Sequence, residues 1–113
     1  RVRMVHPTWE RDILWIATGP NTAKAREIKK NGAVDIQFQV APDDFVHLLV
    51  RGNASVLTDQ ATKDRIWDVM DYDLAQFWPA GPTSPDYCVV KVLPSRVELS
   101  QMFGTMNKRV WKA

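Results

Sequence analysis

Apolar runs near the start of the chain predict two short strands. Residues 1–9 begin with the alternating run Val-Arg-Met-Val and predict a strand, although Pro7 weakens its pairing. The nearly continuous apolar run over residues 13–18 predicts a second, well-buried strand. Because only a short polar link separates the two runs, a β-hairpin is favoured.

The rest of the chain carries four more strand patterns. They cover residues 34–40, 45–58, 87–93 and 97–101. Gly52-Asn53 indicates a bulge or bend within the long 45–58 strand. Pro94-Ser95 separates the last two strands, and residues 102–113 show no clear pattern.

Two helices are predicted between these strands. Asn21 is expected to cap a helix that runs to about Lys30, with Gly32 as its C-terminal stop. Asp59 is expected to cap a second helix, whose apolar positions recur at helical spacing: Ile66, Met70 and Leu74. The order β-β-α-β-β-α-β-β, with hairpin-like links, favours a mainly β protein. We predict an antiparallel barrel with peripheral helices, formed as a single domain by residues 1–113.

Composition narrows the possible functions. The chain has 113 residues, of which 15 are Lys or Arg and 13 are Asp or Glu, so its net charge of +2 does not indicate a nucleic-acid-binding protein. Its single cysteine, Cys88, and two histidines supply no spaced zinc site. No apolar stretch approaches the roughly 20 residues of a membrane span, and we predict a cytoplasmic protein. Arg1 lies inside a predicted strand, so we expect an N-terminal segment to be absent from this sequence.

Several polar and reactive side chains are interpreted as structural. Cys88 lies in an apolar run and is expected to be a buried, unreactive thiol. His6 is interpreted as a solvated strand-end histidine, with donation to a ring or a substrate as the alternative. Four aspartates resemble a metal cluster but follow the exposed face of a helix: Asp64, Asp68, Asp71 and Asp73.

The segment over residues 17–24 is the most informative for chemistry. It ends a buried strand, turns at Gly19-Pro20 and opens a helix with Thr22 and Lys24 in the first turn. Helix N-termini bind phosphate, and a hydroxyl and an ammonium group would add a hydrogen bond and a charge. A capped surface helix with an isolated lysine is the alternative interpretation.

Four ordered segments resemble the pyridoxamine 5′-phosphate oxidase-like split-barrel flavoproteins: RVRMVHP, LWIATGPNTAKAREIKKN, VRGNASVLTD and FWPAGPTSPDYCVVKVLPSRVEL. The last is similar to the general stress protein subgroup. The resemblance implies a six-stranded antiparallel split β-barrel that forms a homodimer, with FMN bound in clefts at the dimer interface. The first strand of that fold lacks a match here, which puts closure of the barrel in doubt.

The resemblance also implies which residues contact the cofactor. The strand that matches residues 1–6, with Met4 and Val5, would pass along the flavin ring, and Arg3 matches a flavin-contacting arginine, with Arg1 as the competing register. Thr18 matches a strand-end position that contacts the flavin.

The same resemblance implies which residues bind the FMN phosphate. Thr22 and Lys24 match a Ser/Thr-x-Lys element that binds this phosphate, in agreement with the interpretation from the residues alone. Trp78 lies in a Pro- and Gly-rich loop and is expected to cover a flavin or to anchor the dimer.

The function implied is that of an FMN-binding, stress-related flavin-dependent oxidoreductase. No catalytic side chain and no metal site are predicted, and FAD or a deazaflavin are the alternative cofactors. Because the substrate-phosphate residues of the true oxidases have no match, pyridoxamine phosphate oxidation is not expected. Two alternatives are a non-catalytic flavin, haem or deazaflavin-binding or storage protein, and a weaker nucleic-acid contact through Lys24, Arg26, Lys29 and Lys30.

Overall fold

The computed structural model describes residues 5–102 and 105–112 of the chain. Strands and helices follow one another in these residues as β1 (Thr8–Glu10), β2 (Ile13–Thr18), α1 (Ala23–Lys30), β3 (Ala33–Ala41), β4 (Val46–Leu57), α2 (Gln60–Val69), β5 (Cys88–Gln101) and β6 (Met106–Lys112). Two short 3-10 helices lie over Pro42–Asp44 and Leu74–Gln76.

The six strands of the described residues form one mainly antiparallel sheet. Their order is β1-β2-β5-β4-β3, and β6 also pairs with β5. Since β1 and β3 are the two ends of this order, the sheet does not close on itself. The predicted mainly β class with peripheral helices is confirmed.

The N-terminal strand is shorter than predicted. Strand β1 begins only at Thr8 and pairs with β2 in an antiparallel hairpin, with Trp9 opposite Leu14. Residues 5–7 are not in a strand, and residues 1–4 lie outside the described residues. Pro7 lacks an N–H group and fixes its own φ, which agrees with pairing that starts only after it.

Strand β5 corrects a prediction of two separate strands. It runs without a break from Cys88 to Gln101 through Pro94-Ser95. The strand changes partner there, because its pairing with β2 reaches Val92 and its pairing with β6 starts at Arg96. Proline is therefore accommodated between two ladders, where no N–H group is needed for either.

Two further features of the strands could not be read from the sequence pattern. The C-terminal tail contains strand β6, whose residues are all exposed, so it lacks the alternation that marks a buried face. In the ladder with β3, Gly52 and Asn53 pair in register, and the register shift lies between Gln39 and Ala41.

Both helices begin at a side-chain cap. Thr22, not the predicted Asn21, is the N-cap of α1, and its side chain accepts a hydrogen bond from the Ala25 amide. Asp59 caps α2 as predicted by accepting from the Thr62 amide. Helix α2 ends at Val69, so Leu74 belongs to a 3-10 turn and not to the helix.

Contacts divide the described residues into two compact units. The first comprises residues up to Gly32 together with 54–93, and the second comprises 33–53 and the residues from 94 onward. The buried core of the first unit is formed mainly by large apolar and aromatic side chains: Trp15, Ile66, Met70, Leu74, Tyr87 and Val89. In the second unit Val50 is fully buried within the β3–β4 hairpin.

The predicted burial of Cys88 is confirmed in the first unit. Trp15 is also almost fully buried, and Trp67 packs against the same core. Cys88 is buried, and burial raises the pKa of its thiol, so the group stays in its unreactive protonated form. None of the helices among the described residues has the length and apolar character to cross a bilayer.

Candidate functional site: a groove at the start of helix α1

The turn between β2 and α1 is held by one hydroxyl. Thr22 Oγ1 donates to the Gly19 carbonyl over 3.0 Å and accepts from the Ala25 amide over 3.2 Å. This pair of hydrogen bonds fixes the end of β2 against the first turn of α1. The first-turn amides of a helix lack carbonyl partners within that helix, so the turn fixes where these donors lie.

The same turn lies close to the segment that carries Trp78. A Cβ atom on Gly19 would lie 3.2 Å from Thr22 Cγ2 and 3.3 Å from the Asp86 carbonyl oxygen, so a larger residue here would push one of these neighbours away by a few tenths of an ångström. Trp78 Nε1 donates to that same Asp86 carbonyl over 2.8 Å. The Asp86 peptide therefore ties the aromatic loop to the β2–α1 turn.

Lys24 links the two ends of this turn through its side chain. Its Nζ atom lies 3.3 Å from Oγ1 of Thr18, the last residue of β2, which is itself buried. Thr18 pairs with Cys88 on β5. Burial is the largest influence on the Cys88 pKa, and the charges of Lys29, Lys63 and Lys24 oppose it. The three lysines therefore place positive potential around the end of β2.

Lys24 also lines a solvent-open groove of about 370 Å³ within the first unit, which we call the α1 groove. Val5, His6, Ile16 and Ala17 line it together with Lys24. The remaining wall is aromatic and consists of Tyr72, Phe77 and Trp78. The volume falls in the range of roughly 300–1,000 Å³ that is usual for small-molecule sites.

The aromatic wall is continuous with the core. Trp78 lies 5.3 Å from Tyr87 between ring centroids, and Phe77 lies 6.0 Å from Trp78 and 6.1 Å from Tyr72. Trp78 is half-buried, whereas Phe77 is 62% exposed. A large aromatic ring that is anchored on one side and exposed on the other offers a flat apolar surface to a ligand.

A polar pair lies at the rim of the α1 groove. His6 Nε2 is 2.8 Å from Asp71 Oδ1, and the Thr8 hydroxyl donates to the same oxygen over 3.0 Å. Burial alone would raise the pKa of the Asp71 carboxyl, but the hydrogen bonds from Thr8 and His6 outweigh it and hold that pKa below its usual value. Asp71 is therefore an ionised acceptor near neutral pH.

The structure brings most of the predicted site residues together. Val5, Lys24 and Trp78 line the α1 groove, Thr18 contacts Lys24, and Thr22 caps the helix beside it. Arg3 and Met4, and the competing Arg1, lie outside the described residues. The cofactor contacts assigned to these residues remain predictions.

Sequence reasoning missed part of the groove. Tyr72 and Phe77 were not singled out, and Asp71 was interpreted only as part of a solvated helical face. All four aspartates of that set are exposed, but Asp71 and Asp73 lie beyond the end of α2. A usable signal was the cluster of aromatic residues between α2 and β5, which is unusual for a polar loop.

Solved structures share this fold. A protein from Clostridium acetobutylicum, described as related to general stress protein 26 of the pyridoxinephosphate oxidase family, is 22% identical with a TM-score of 0.77, covering 96% of this chain and 72% of that chain. General stress protein 26 from Bacillus anthracis is 20% identical with a TM-score of 0.74, covering 96% of this chain and 76% of that chain. These likenesses confirm the predicted split-barrel fold.

A third similar structure is of a protein described as binding a cofactor. The pyridoxamine 5′-phosphate oxidase-related, FMN binding protein from Nostoc punctiforme is 14% identical with a TM-score of 0.69, covering 98% of this chain and 79% of that chain.

No curated protein matches the chain. The model of the family described as pyridoxamine 5′-phosphate oxidase like matches residues 4–110, nearly the whole sequence. The chain therefore belongs to the pyridoxamine 5′-phosphate oxidase-like family.

Proposed function

We propose that this chain is an FMN-binding protein and that the α1 groove holds the flavin, with its phosphate at the start of α1. One observation carries the proposal: Lys24, whose ammonium group contacts Thr18 at the end of β2, lines a groove whose other wall is aromatic. A flavin mononucleotide has the matching pair of features, an anionic phosphate and a flat ring system.

The phosphate end fits the first turn of α1. That turn contains no acidic residue, and its amides together with the helix dipole favour an anion. A lysine in the first turn is unfavourable for the helix dipole, and a bound anion offsets this cost. Lys24 would hold the phosphate by a charge-assisted hydrogen bond, while Thr22 keeps the turn in place.

The ring end fits the aromatic wall. Trp78 would contact the flavin from one side, with Ile16 and Ala17 of β2 as the apolar floor. When bound, the flavin supplies hydride and electron transfer. The side chains of the groove orient it and exclude water, so none of them needs to act as a nucleophile.

A flavin-dependent oxidoreductase is the activity we propose for this site. The FMN binding protein from Nostoc punctiforme supports the choice of FMN over FAD or a deazaflavin. A homodimer with flavin at its interface, located in the cytoplasm, completes the proposal.

The test begins with the absorbance spectrum of the purified protein. We expect the bands of oxidised flavin, and mass analysis of the released molecule should identify FMN. If the protein is purified without cofactor, added FMN should quench its tryptophan fluorescence at one equivalent per chain. A protein that carries no flavin and does not bind added FMN contradicts the proposal.

A second measurement separates an enzyme from a storage protein. In an anaerobic stopped-flow experiment, NADH or NADPH should bleach the flavin absorbance of an oxidoreductase. Bound FMN that neither nicotinamide reduces would favour the non-catalytic alternative. Size-exclusion chromatography with light scattering tests the homodimer separately.

A further inference from the structure

His6 is held in a fixed orientation at the rim of the α1 groove. Its Nε2 atom lies 2.8 Å from Asp71 Oδ1, and its ring centroid lies 4.2 Å from that of Tyr72 at a tilt of 37°. Thr8 donates to the same Asp71 oxygen, so the carboxylate is itself held in place. These contacts join residues that lie 65 positions apart in the sequence.

The arrangement leaves the second ring nitrogen, Nδ1, for other partners. With Nε2–H donated to the Asp71 carboxylate, Nδ1 carries a lone pair in the neutral imidazole and a proton in the imidazolium. The His6 side chain is 56% exposed, so it can regain a proton from water after losing one. A histidine oriented by a carboxylate is an effective general acid or base.

Tyr72 is the competing proton donor at this rim, and its chemistry is less suitable. Burial, with a smaller effect of the Asp71 charge, raises the pKa of the Tyr72 hydroxyl. The hydroxyl therefore holds its proton near neutral pH. Its ring instead supplies a flat surface beside His6.

We propose that His6, positioned by Asp71, donates a proton to a planar aromatic carbonyl substrate of the quinone class that binds against Tyr72 and Phe77. The inference rests on the proposed function, because a reduced flavin in the same groove is the reductant. The flat rings of the wall favour binding of a planar aromatic compound, and the Nδ1 proton can be donated to a carbonyl oxygen of that compound.

The step balances as a two-electron reduction. A reduced flavin bound in the α1 groove would supply a hydride to one carbonyl oxygen of the quinone, and the ring electrons would shift to the second carbonyl oxygen. His6 donates the Nδ1 proton to that second oxygen, so an N–H bond breaks and an O–H bond forms. The products are a hydroquinone, oxidised flavin and neutral His6, which takes up a proton from water.

The experiment compares two electron acceptors on the FMN-loaded protein. Each variant is first titrated with FMN, then reduced anaerobically with one equivalent of dithionite. It is then mixed in a stopped-flow instrument with a water-soluble naphthoquinone or with ferricyanide. Ferricyanide accepts electrons without a proton, so it isolates electron transfer from proton transfer.

His6→Gln is the informative variant, because glutamine can still donate to Asp71 but cannot relay a proton. We expect it to slow reduction of the naphthoquinone by about 100-fold, the lower end of the usual contribution of a general acid. Its ferricyanide rate should match that of the wild type. His47→Gln, which alters the other histidine in the chain, is the matched control and should leave both rates unchanged.

Asp71 is a positioning residue, and its test is spectroscopic. In ¹⁵N-histidine NMR spectra of the His47→Gln protein, only His6 contributes, and we expect its neutral form to carry the proton on Nε2. Asp71→Asn should abolish this preference for one tautomer and slow naphthoquinone reduction less than His6→Gln does.

The outcomes separate the inference from the function on which it rests. A wild-type protein that does not bind FMN overturns both. If FMN binds but His6→Gln reduces the naphthoquinone at the wild-type rate, or slows both acceptors equally, only the role of His6 is overturned. Loss of naphthoquinone reduction in Tyr72→Phe without loss in His6→Gln would likewise overturn it.

Discussion

The Nζ atom of Lys24 lies 3.3 Å from the hydroxyl oxygen of Thr18, so the first turn of α1 and the last residue of β2 are joined through their side chains. The buried threonine contacts the ammonium group of a lysine that lines the α1 groove. The charge that we assign to phosphate binding is therefore placed by a strand end, and not by the helix alone.

Thr22→Ala should weaken both the helix and FMN binding. The alanine removes the N-cap hydrogen bond to the Ala25 amide, which stabilises a protein by about 1 kcal/mol. We expect a lower urea midpoint for unfolding and weaker FMN binding, since the first-turn amides lose their fixed position. Thr22→Ser keeps the hydroxyl and should behave as the wild type. An unchanged urea midpoint in Thr22→Ala would show that this cap does not stabilise the fold.

Trp78→Leu should weaken flavin binding through loss of the ring. An aromatic contact contributes about 1 kcal/mol beyond the area that it buries, so the dissociation constant for FMN should rise about fivefold. Trp78→Phe keeps a ring in the wall but removes the hydrogen bond to the Asp86 carbonyl, and it should bind more tightly than Trp78→Leu. Fluorescence titration with FMN measures all three proteins. Equal affinities would remove Trp78 from the site.

The Asp59 cap predicts a change of stability in acid. Hydrogen bonds from the Thr62 hydroxyl, over 2.7 Å, and from the Thr62 amide lower the pKa of the Asp59 carboxyl in the folded protein. Because the unfolded chain then binds a proton more readily, the stabilisation is full well above pH 4 and is lost as the pH falls below about 4, through the folded pKa.

Asp59→Asn tests this effect, since asparagine is also a good N-cap but does not titrate. Urea midpoints of the two proteins should differ most near neutral pH, with the wild type more stable. The difference should shrink as the pH is lowered below about 4. A difference that stays constant across that range would contradict the prediction.

Local signals in the sequence were sufficient for part of the site. Gly19, Thr22 and Lys24 lie within six positions, so turn and cap preferences alone indicate a strand end beside a helix start. The cap itself was displaced by one residue: the Thr22 hydroxyl reaches both Gly19 and Ala25, which fixes the first turn at Thr22 and leaves Asn21 outside it.

Long-range pairing explains what the sequence could not show. His6 and Asp71 come together only because β1 and the end of α2 are neighbours. The sequence around either residue does not indicate that it contacts the other. The continuous β5 likewise depends on a change of partner at Pro94, which only the register of three strands reveals.

The most direct test of the account compares FMN with riboflavin, which lacks the phosphate. Calorimetric titrations would be made on the wild type, Lys24→Ala and Lys30→Ala, the last being an exposed lysine at the other end of the same helix. Loss of a charged hydrogen bond of about 1.5–3 kcal/mol should weaken FMN binding by Lys24→Ala about 10-fold to 100-fold, and riboflavin binding should not change. Lys30→Ala should match the wild type for both ligands. If Lys24→Ala weakens FMN and riboflavin equally, or weakens neither, the phosphate is not bound by Lys24.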